Sequence, residues 1–200
     1  MINLPIDFLN KMEQLLQDDY PAFLESYSRP SKKGVRLNPL KCTWDILEKN
    51  LPFTLSPSPF SPLSYYIEEE EAKVGILPLH HAGVFYSQEP SAASAVTVLN
   101  PKPGEIILDL CAAPGGKSTQ IAGLLDGKGL LWSNEIVKNR ANVLLSNIER
   151  LGVRNAVVSS CHPDVLCSKL AGFFDKVLVD APCSGEGMFR RDEQAVTDWS

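Results

Sequence analysis

The sequence predicts an α/β protein with a parallel, doubly wound sheet, preceded by a smaller α+β region. From about residue 100 onward, short apolar runs alternate with segments of helical periodicity. Continuous apolar strands separated by helices are typical of a parallel sheet. Before that point the chain is rich in proline and begins with an amphipathic segment. We therefore expect an N-terminal region at residues 1–95 and a sheet domain at residues 96–200.

The elements expected in the second region follow one another as strand and helix. Apolar runs predict strands over residues 105–110, 129–134, 155–159 and 174–180, and helical periodicity predicts helices over residues 116–125 and 135–151.

The N-terminal region is less regular. Apolar positions at helical spacing predict an amphipathic helix, or a helix pair broken near Pro21, over residues 4–24. A short helix is expected at residues 44–50. Prolines interrupt residues 51–66, which therefore predict neither a central strand nor a helix. The four glutamates at residues 68–71 predict a solvated turn.

Charge and composition exclude several classes of protein. With 19 basic and 24 acidic residues in 200, the net charge is −5, so the chain is not a wholly basic nucleic-acid module. Its longest uncharged stretch, residues 51–67, is broken by prolines and cannot be a spanning helix. Five cysteines without a paired short spacing favour reduced thiols over a disulfide scaffold or a zinc site. Because no export signal is visible either, we expect a cytoplasmic protein with no membrane span and no metal.

The most informative segment is the turn DLCAAPGGKS at residues 109–118, between a predicted strand and a predicted helix. Its small residues let the backbone approach a ligand closely, and the free N–H groups at the start of the helix favour an anionic group. Two common glycine-rich motifs do not fit. A phosphate-binding P-loop needs glycine where Cys111 stands, and a GxGxxG dinucleotide turn is absent.

An acidic residue follows this turn at an informative distance. Glu135 lies 19 residues after Gly116, at the expected end of the second strand. A carboxylate in that position commonly accepts hydrogen bonds from ribose hydroxyls; the alternative is that Glu135 caps the helix that follows. Turn and carboxylate together favour an adenosine-containing cofactor without a pyrophosphate fingerprint, with S-adenosylmethionine as the candidate.

A second motif, DAPCSGEGMFR, follows the fourth predicted strand and puts a carboxylate and a thiol at the same sheet edge as the turn. The chain resembles RNA cytosine-C5 methyltransferases of the Sun/Fmu type, most closely their RsmF-like ribosomal RNA members. The segments that carry the resemblance are HHAGVFYSQEPSA (80–92), DLCAAPGGKS (109–118), NEIVKNR (134–140), SNIERLG (146–152) and DAPCSGEGMFR (180–190). The resemblance implies a Rossmann-like class I methyltransferase sheet with its C-terminal strands missing, and the cofactor S-adenosylmethionine. It also implies RNA, specifically ribosomal RNA, as the partner, which the N-terminal region at residues 1–95 would help to dock.

The resemblance also assigns roles to individual residues. Glu135 would hold the ribose hydroxyls, and Asp180 would lie beside the cofactor and hydrogen-bond the polar edge of the target cytosine. Cys183 matches the cysteine that assists release of the methylated product. The family's acidic adenine contact falls on His162 here, a departure that leaves this contact open. The methionine part of the cofactor would be wrapped by Cys111, Ala112, Ala113, Pro114, Gly115, Gly116 and Lys117.

The reaction explains why the family uses thiols. A thiolate adds to C6 of cytosine, C5 then takes the methyl group, and loss of the C5 proton lets the thiol leave. A carboxyl group at N3 and N4 stabilises the developing charge, and a stacked base must first be extruded. The resemblance places the attacking cysteine in a Thr-Cys motif that these 200 residues lack. We therefore expect the nucleophile beyond Ser200 and expect this chain to be a fragment that is inactive alone.

Two other functions remain open. A catalytically silent RNA-binding or assembly protein could keep the fold and the cofactor turn without the nucleophile. A small-molecule methyltransferase is the weaker alternative, because it has no need of the Pro-Cys-Ser-Gly sequence at residues 182–185. The densest basic cluster is compatible with either a solvated loop or contact to an RNA backbone; it consists of Lys32, Lys33, Arg36 and Lys41.

Overall fold

A computed structural model describes residues 4–183, 185–190, 193–197 and 199. Within these residues the helices are α1 (Ile6–Leu16), α2 (Tyr20–Ser26), α3 (Trp44–Asn50), α4 (Pro78–His81), α5 (Ser94–Leu99), α6 (Gly116–Leu125), α7 (Lys138–Arg150), α8 (Pro163–Lys169) and α9 (Glu193–Thr197). The strands are β1 (Gly34–Leu37), β2 (Leu55–Pro57), β3 (Ser64–Ile67), β4 (Phe85–Ser87), β5 (Ile106–Asp109), β6 (Leu130–Asn134), β7 (Ala156–Ser159) and β8 (Lys176–Leu178).

The chain divides into two compact units, Met1–Ser31 with Pro182–Ser200, and Lys32–Ala181. The core of the first unit is aromatic: the buried ring of Phe8 meets that of Phe189 edge-on, with centroids 5.0 Å apart. Such edge-to-face pairs add to the free energy gained by burial.

The helix pair expected near the N-terminus is confirmed, but its break lies earlier than predicted. Helix α1 ends at Leu16, a 3₁₀ turn follows at Gln17–Asp19, and Pro21 lies in the first turn of α2. Proline is tolerated there because the first amides of a helix have no intrahelical acceptor.

In the second unit, four antiparallel strands form a sheet in the order β2-β3-β1-β4. Strand β3 therefore lies inside the sheet, and the expectation that residues 51–66 contain no central strand is wrong. The prolines of that run precede β3, and the one proline within a strand, Pro57, lies on β2 at the sheet edge. The expected helix at Trp44–Asn50 and the exposed turn at residues 68–71 are confirmed.

The other sheet of this unit is parallel, in the order β7-β6-β5-β8. This arrangement confirms the predicted α/β class. Strand β5 pairs with β6 on one side and with β8 on the other, so the strand order changes direction between β5 and β8. Ligands of open α/β sheets bind outside the carboxyl ends of the strands at such a point. Asp109 ends β5, and Asp180 follows β8 by two residues.

Helices α6 and α7 cover one face of the parallel sheet. Their buried side chains Ile121, Leu125, Leu144 and Ile148 form one cluster with Leu131 of β6. No helix in the described part of the chain is both long and apolar enough to cross a membrane. Among the same residues, no group of three or more His, Cys, Asp or Glu side chains is placed to hold a metal ion.

Candidate functional site

The turn between β5 and α6 is held closely against the neighbouring strand and helix. The amide of Ala112 donates to the carbonyl of Asn134 at the end of β6, over 2.8 Å. Gly115 has a φ of +110° and lies against Leu144, 3.2 Å from the position that a Cβ would take. Only glycine adopts this backbone conformation without strain, which explains its place in the motif.

An open cavity of about 250 Å³ lies at this turn. Seven of the residues that the sequence predicted line it, namely Cys111, Ala112, Ala113, Pro114, Gly116, Lys117 and Asp180. Asp109 also lines it, and a second wall comes from the antiparallel sheet through Tyr86, Ser87 and Gln88. The prediction thus found one wall of the cavity and missed the other.

Asp109 is a buried carboxylate in the lining of this cavity, only 1% exposed. Its Oδ2 accepts a hydrogen bond from Ser118 (2.7 Å), whose hydroxyl in turn accepts one from Ser133 (2.9 Å). Its Oδ1 is buried and has no hydrogen-bond partner among the described residues. Burial raises the pKa of Asp109 to about 6, although the bond from Ser118 acts in the opposite direction. A residue of the cavity lining thus carries a buried acceptor that still needs a donor.

The start of α6 carries partial positive charge, in contrast to the carboxylate of Asp109. The amide of Thr119 makes the first helical hydrogen bond, to Gly115 over 2.9 Å, so the amides of Gly116 to Ser118 precede the helical ladder. The N-terminus of a ten-residue helix attracts negative charge. The cavity therefore has a negative side at Asp109 and a positive side at α6.

Lys117 and Asp180, which both line the cavity, form an ion pair. The Lys117 Nζ donates to Asp180 Oδ2 over 2.5 Å, and the side chains are 19% and 57% exposed. A charge-assisted bond of this kind orients a carboxylate more firmly than a neutral one. Asp180 therefore presents its carboxylate in a fixed position while remaining open to solvent.

Helix α7 supports the turn from outside the cavity. Asn147 donates to the carbonyl of Pro114 over 2.8 Å, and Arg140 donates to that of Ala113 over 3.2 Å. Both carbonyls lie in the segment whose small side chains face the cavity. Because these bonds fix backbone atoms, they hold the turn in one shape.

Three of the predicted cofactor residues, Gly115, Glu135 and His162, lie outside the cavity lining. Glu135 is buried; its carboxylate accepts from the amide of Val137 over 3.0 Å and pairs with Arg140 at 3.4 Å. It thus makes the helix-start contact that was the alternative interpretation of this residue. His162 is the N-cap of α8 and accepts from the amide of Asp164 over 3.4 Å.

Cys183 belongs to the unit formed by residues 1–31 and 182–200, and its thiol is exposed. Cys111 lines the cavity, and burial raises the pKa of its thiol, with the nearby carboxylates of Glu135 and Asp109 adding to the effect. A thiol with a raised pKa is a poor nucleophile at neutral pH.

The antiparallel sheet reaches the turn through Arg36, a residue that sequence reasoning placed in a basic surface cluster. Arg36 is 3% exposed and donates to Gln88 Oε1, to the carbonyl of Gly116 and, over 2.7 Å, to Thr119 Oγ1. Burial lowers the pKa of Arg36 to about 9, so it stays charged at neutral pH. We call these four residues the turn junction. RNA contact by Arg36 is excluded by its burial.

A second group of contacts ties the same segment of chain to the end of α7. Asn38 donates to the carbonyls of Gly83 and Leu151, both over 2.8 Å, and Lys41 donates to those of Ala82 and Arg150, both over 2.7 Å. These carbonyls lie just after α4 and at the end of α7, where cations and donors are favoured. We call these six residues the helix-end junction.

The chain matches two family models. The one described as 16S rRNA methyltransferase RsmB/F covers residues 96–198, and the one for the N-terminal domain of 16S rRNA methyltransferase RsmF covers residues 4–90. The ribosomal RNA small subunit methyltransferase F of Vibrio vulnificus (strain YJ016) is 40% identical over 211 residues, which cover 100% of this chain and 44% of the relative. The chain thus spans less than half the length of this curated relative.

A solved structure supports the same relationship. The methyltransferase homolog protein from Pyrococcus horikoshii is 29% identical and superposes with a TM-score of 0.79, covering 94% of this chain and 67% of that one. The predicted Rossmann-like methyltransferase fold and the predicted family are therefore confirmed. The chain belongs to the 16S rRNA methyltransferase RsmB/F family.

Proposed function

We propose that this chain is the cofactor-binding part of an S-adenosylmethionine-dependent methyltransferase that acts on cytosine C5 of ribosomal RNA. The observation that carries the proposal is the polarity of the cavity. The cavity is lined both by Asp109, whose Oδ1 has no partner among the described residues, and by the start of α6. An amino-acid group, with an ammonium and a carboxylate on one carbon, satisfies both at once.

The residues around the cavity fit the methionine end of this cofactor. Asp109 would accept from its ammonium, and the amides at the start of α6 would donate to its carboxylate. The small side chains of Ala112, Ala113 and Gly116 leave room for the ligand against the backbone. When bound, the cofactor supplies the methyl group.

Glu135 and His162 are proposed for the nucleoside end. Each oxygen of the Glu135 carboxylate has a further lone pair beyond its bonds to Val137 and Arg140, so it can still accept from a ribose hydroxyl. His162 is well exposed, and its ring can meet an adenine at the end of β7.

At the target base, Asp180 and Cys183 have separate proposed tasks. Asp180 would accept from the cytosine N4 amino group and, with a proton on its other oxygen, donate to N3, where negative charge develops during attack on C6; Lys117 would hold the side chain in place. Cys183, three positions later, would assist loss of the C5 proton and release of the product. The attacking cysteine is proposed to lie beyond Ser200.

The experiment is methyl transfer by the full-length protein, with radiolabelled cofactor and ribosomal RNA, followed by nuclease digestion and identification of 5-methylcytidine. Asp180→Asn should lower the rate at least about a hundredfold, as loss of one preorganised charge-stabilising group does. Cys183→Ser should accumulate a covalent protein–RNA adduct, whereas Cys167→Ser, which alters another exposed thiol, should not.

Cofactor binding without methyl transfer by the full-length protein would overturn the catalytic part of the proposal and favour a silent RNA-binding protein. Labelling of a base other than cytosine would overturn the assigned substrate. Activity that is unchanged in Asp180→Asn would remove the role given to that carboxylate.

A further inference from the structure

Arg36 is a buried cation whose acceptors are all uncharged. Its three described hydrogen-bond acceptors are an amide, a backbone carbonyl and a hydroxyl, on Gln88, Gly116 and Thr119. The guanidinium also lies over the ring of Tyr86, 5.2 Å from its centroid. Burial of a charge without a carboxylate partner is unfavourable, so structural stability alone is a poor reason for an arginine here.

The bonds of Arg36 end on the walls of the cavity. Gln88, Gly116 and Tyr86 all line it. The remaining contact, to Thr119, reaches the turn indirectly. The Thr119 hydroxyl accepts from Arg36 over 2.7 Å and donates to the carbonyl of Gly115, also over 2.7 Å. Through the Arg36 side chain, strand β1 is thereby linked to Gly115 and Gly116 of the turn and also to Gln88, on the other wall of the cavity.

We infer that Arg36 is a positioning residue that sets the shape of the turn for the cofactor, so that the antiparallel sheet takes part in cofactor binding. The identity of the ligand rests on the proposed function, whereas the control of the turn by Arg36 does not. Arg36 lies behind the wall and acts through Gln88, Gly116 and Thr119.

The planar fork of the guanidinium is what this position requires. It presents several N–H donors in fixed directions and so reaches three acceptors at once, one just after β4 and two on α6. A lysine keeps the charge but offers one nitrogen on a flexible stem, which cannot span the same acceptors. Arg36→Lys therefore separates the geometry of the side chain from its charge.

The experiment compares three single variants of this chain and one double variant. Arg36→Lys removes the fork, Thr119→Val removes the hydroxyl between Arg36 and Gly115, and Lys41→Met is the matched control. Lys41 lies on the same segment and also joins it to the parallel-sheet side, but its bonds end on the carbonyls of Ala82 and Arg150, outside the cavity lining. Two quantities are measured: S-adenosylhomocysteine affinity by calorimetry, and amide hydrogen exchange across residues 111–120 without ligand.

Arg36→Lys should weaken binding about tenfold, a loss equal to about one charge-assisted hydrogen bond, and should raise exchange across residues 111–120 several-fold. Thr119→Val should do the same to a smaller extent, and the two effects should not add in the double variant, since both break one chain of bonds. Lys41→Met should change neither quantity.

Exchange across residues 111–120 that stays at the parent rate in folded Arg36→Lys would overturn the inference. Equal changes in Arg36→Lys and Lys41→Met would overturn it as well, because they would reflect general destabilisation. If the parent chain fails to bind S-adenosylhomocysteine, the cofactor assignment fails, and the exchange measurement still decides the role of Arg36.

Discussion

The turn junction and the helix-end junction begin on the same short segment of chain and differ in where they end. Arg36, in β1, reaches residues that line the cavity, whereas Asn38 and Lys41, just after β1, reach carbonyls at the ends of two helices. One junction buries a cation against uncharged acceptors; the other places donors where helix dipoles favour them. We therefore expect the turn junction to serve ligand binding and the helix-end junction to serve stability.

The largest loss of stability should come from a substitution in the helix-end junction. At Gly83 (φ +70°), a Cβ would lie 2.0 Å from the carbonyl oxygen of Arg150. Gly83→Ala must therefore separate the segment after α4 from α7, and we expect it to lower the free energy of unfolding by more than about 3 kcal/mol. Urea denaturation measures the loss.

Gly172→Ala is the matched control, since Gly172 has the same kind of φ (+71°) with no atom within 4 Å of the added Cβ. It should cost only about 1 kcal/mol, the usual penalty of a left-handed residue. Similar losses in the two variants would show that steric contact with α7 contributes little.

Asp109→Asn should have the next largest effect, and it should be stabilising. The native pKa of Asp109, about 6, lies above its ordinary value of 3.8, so between these pH values the native state holds a proton that the unfolded state lacks. Stability therefore falls as pH rises through this window and stays reduced above it. Removal of the buried charge should raise the free energy of unfolding at pH 7.5 by roughly 2 to 3 kcal/mol.

The same variant at pH 4 serves as its own control, because Asp109 is protonated there in the native state. The gain should shrink toward zero as pH falls from about 6 to 4. If the gain in the free energy of unfolding were independent of pH, the ionised carboxylate of Asp109 would not be the cause of the lower stability of the parent.

Asn38→Ala should have a smaller, destabilising effect. It leaves the buried carbonyls of Gly83 and Leu151 without their donor, which costs about 2 kcal/mol in total. Thermal unfolding should show the loss, and S-adenosylhomocysteine affinity at a temperature where the variant is folded should match that of the parent. Weakened binding in this variant would remove the functional distinction between the two junctions.

Sequence reasoning located the parallel sheet and most of one cavity wall because each depends on local features. Apolar runs fix the strands, and the small residues of the turn are adjacent in the chain. Arg36, Tyr86 and Gln88 were missed as site residues because their placement depends on the pairing of β1 with β4, which no local pattern shows. The boundary at residue 95 between the N-terminal region and the sheet domain stays a prediction, since the compact unit Lys32–Ala181 contains both sheets.

The orientation of Glu135 marks the limit of motif reasoning. Its distance from the turn suggested a ribose contact, but spacing alone does not show that Val137 and Arg140 already bind its carboxylate. For Asp109, the sequence showed an acid at the end of a strand. Only the packing around it shows that Oδ1 is left without a donor.

The buried carboxylate of Asp109 is proposed to bind a cationic group of the cofactor. Calorimetric titration of the parent chain and of Asp109→Asn with S-adenosylhomocysteine, at pH 7.5 and 5.0, tests it directly. The parent should bind one equivalent at pH 7.5, and its affinity should fall about tenfold at pH 5.0 as Asp109 takes up its proton. Asp109→Asn should bind at least about tenfold more weakly at pH 7.5 and lose the dependence on pH. Equal affinity of the two proteins at pH 7.5 would contradict the claim.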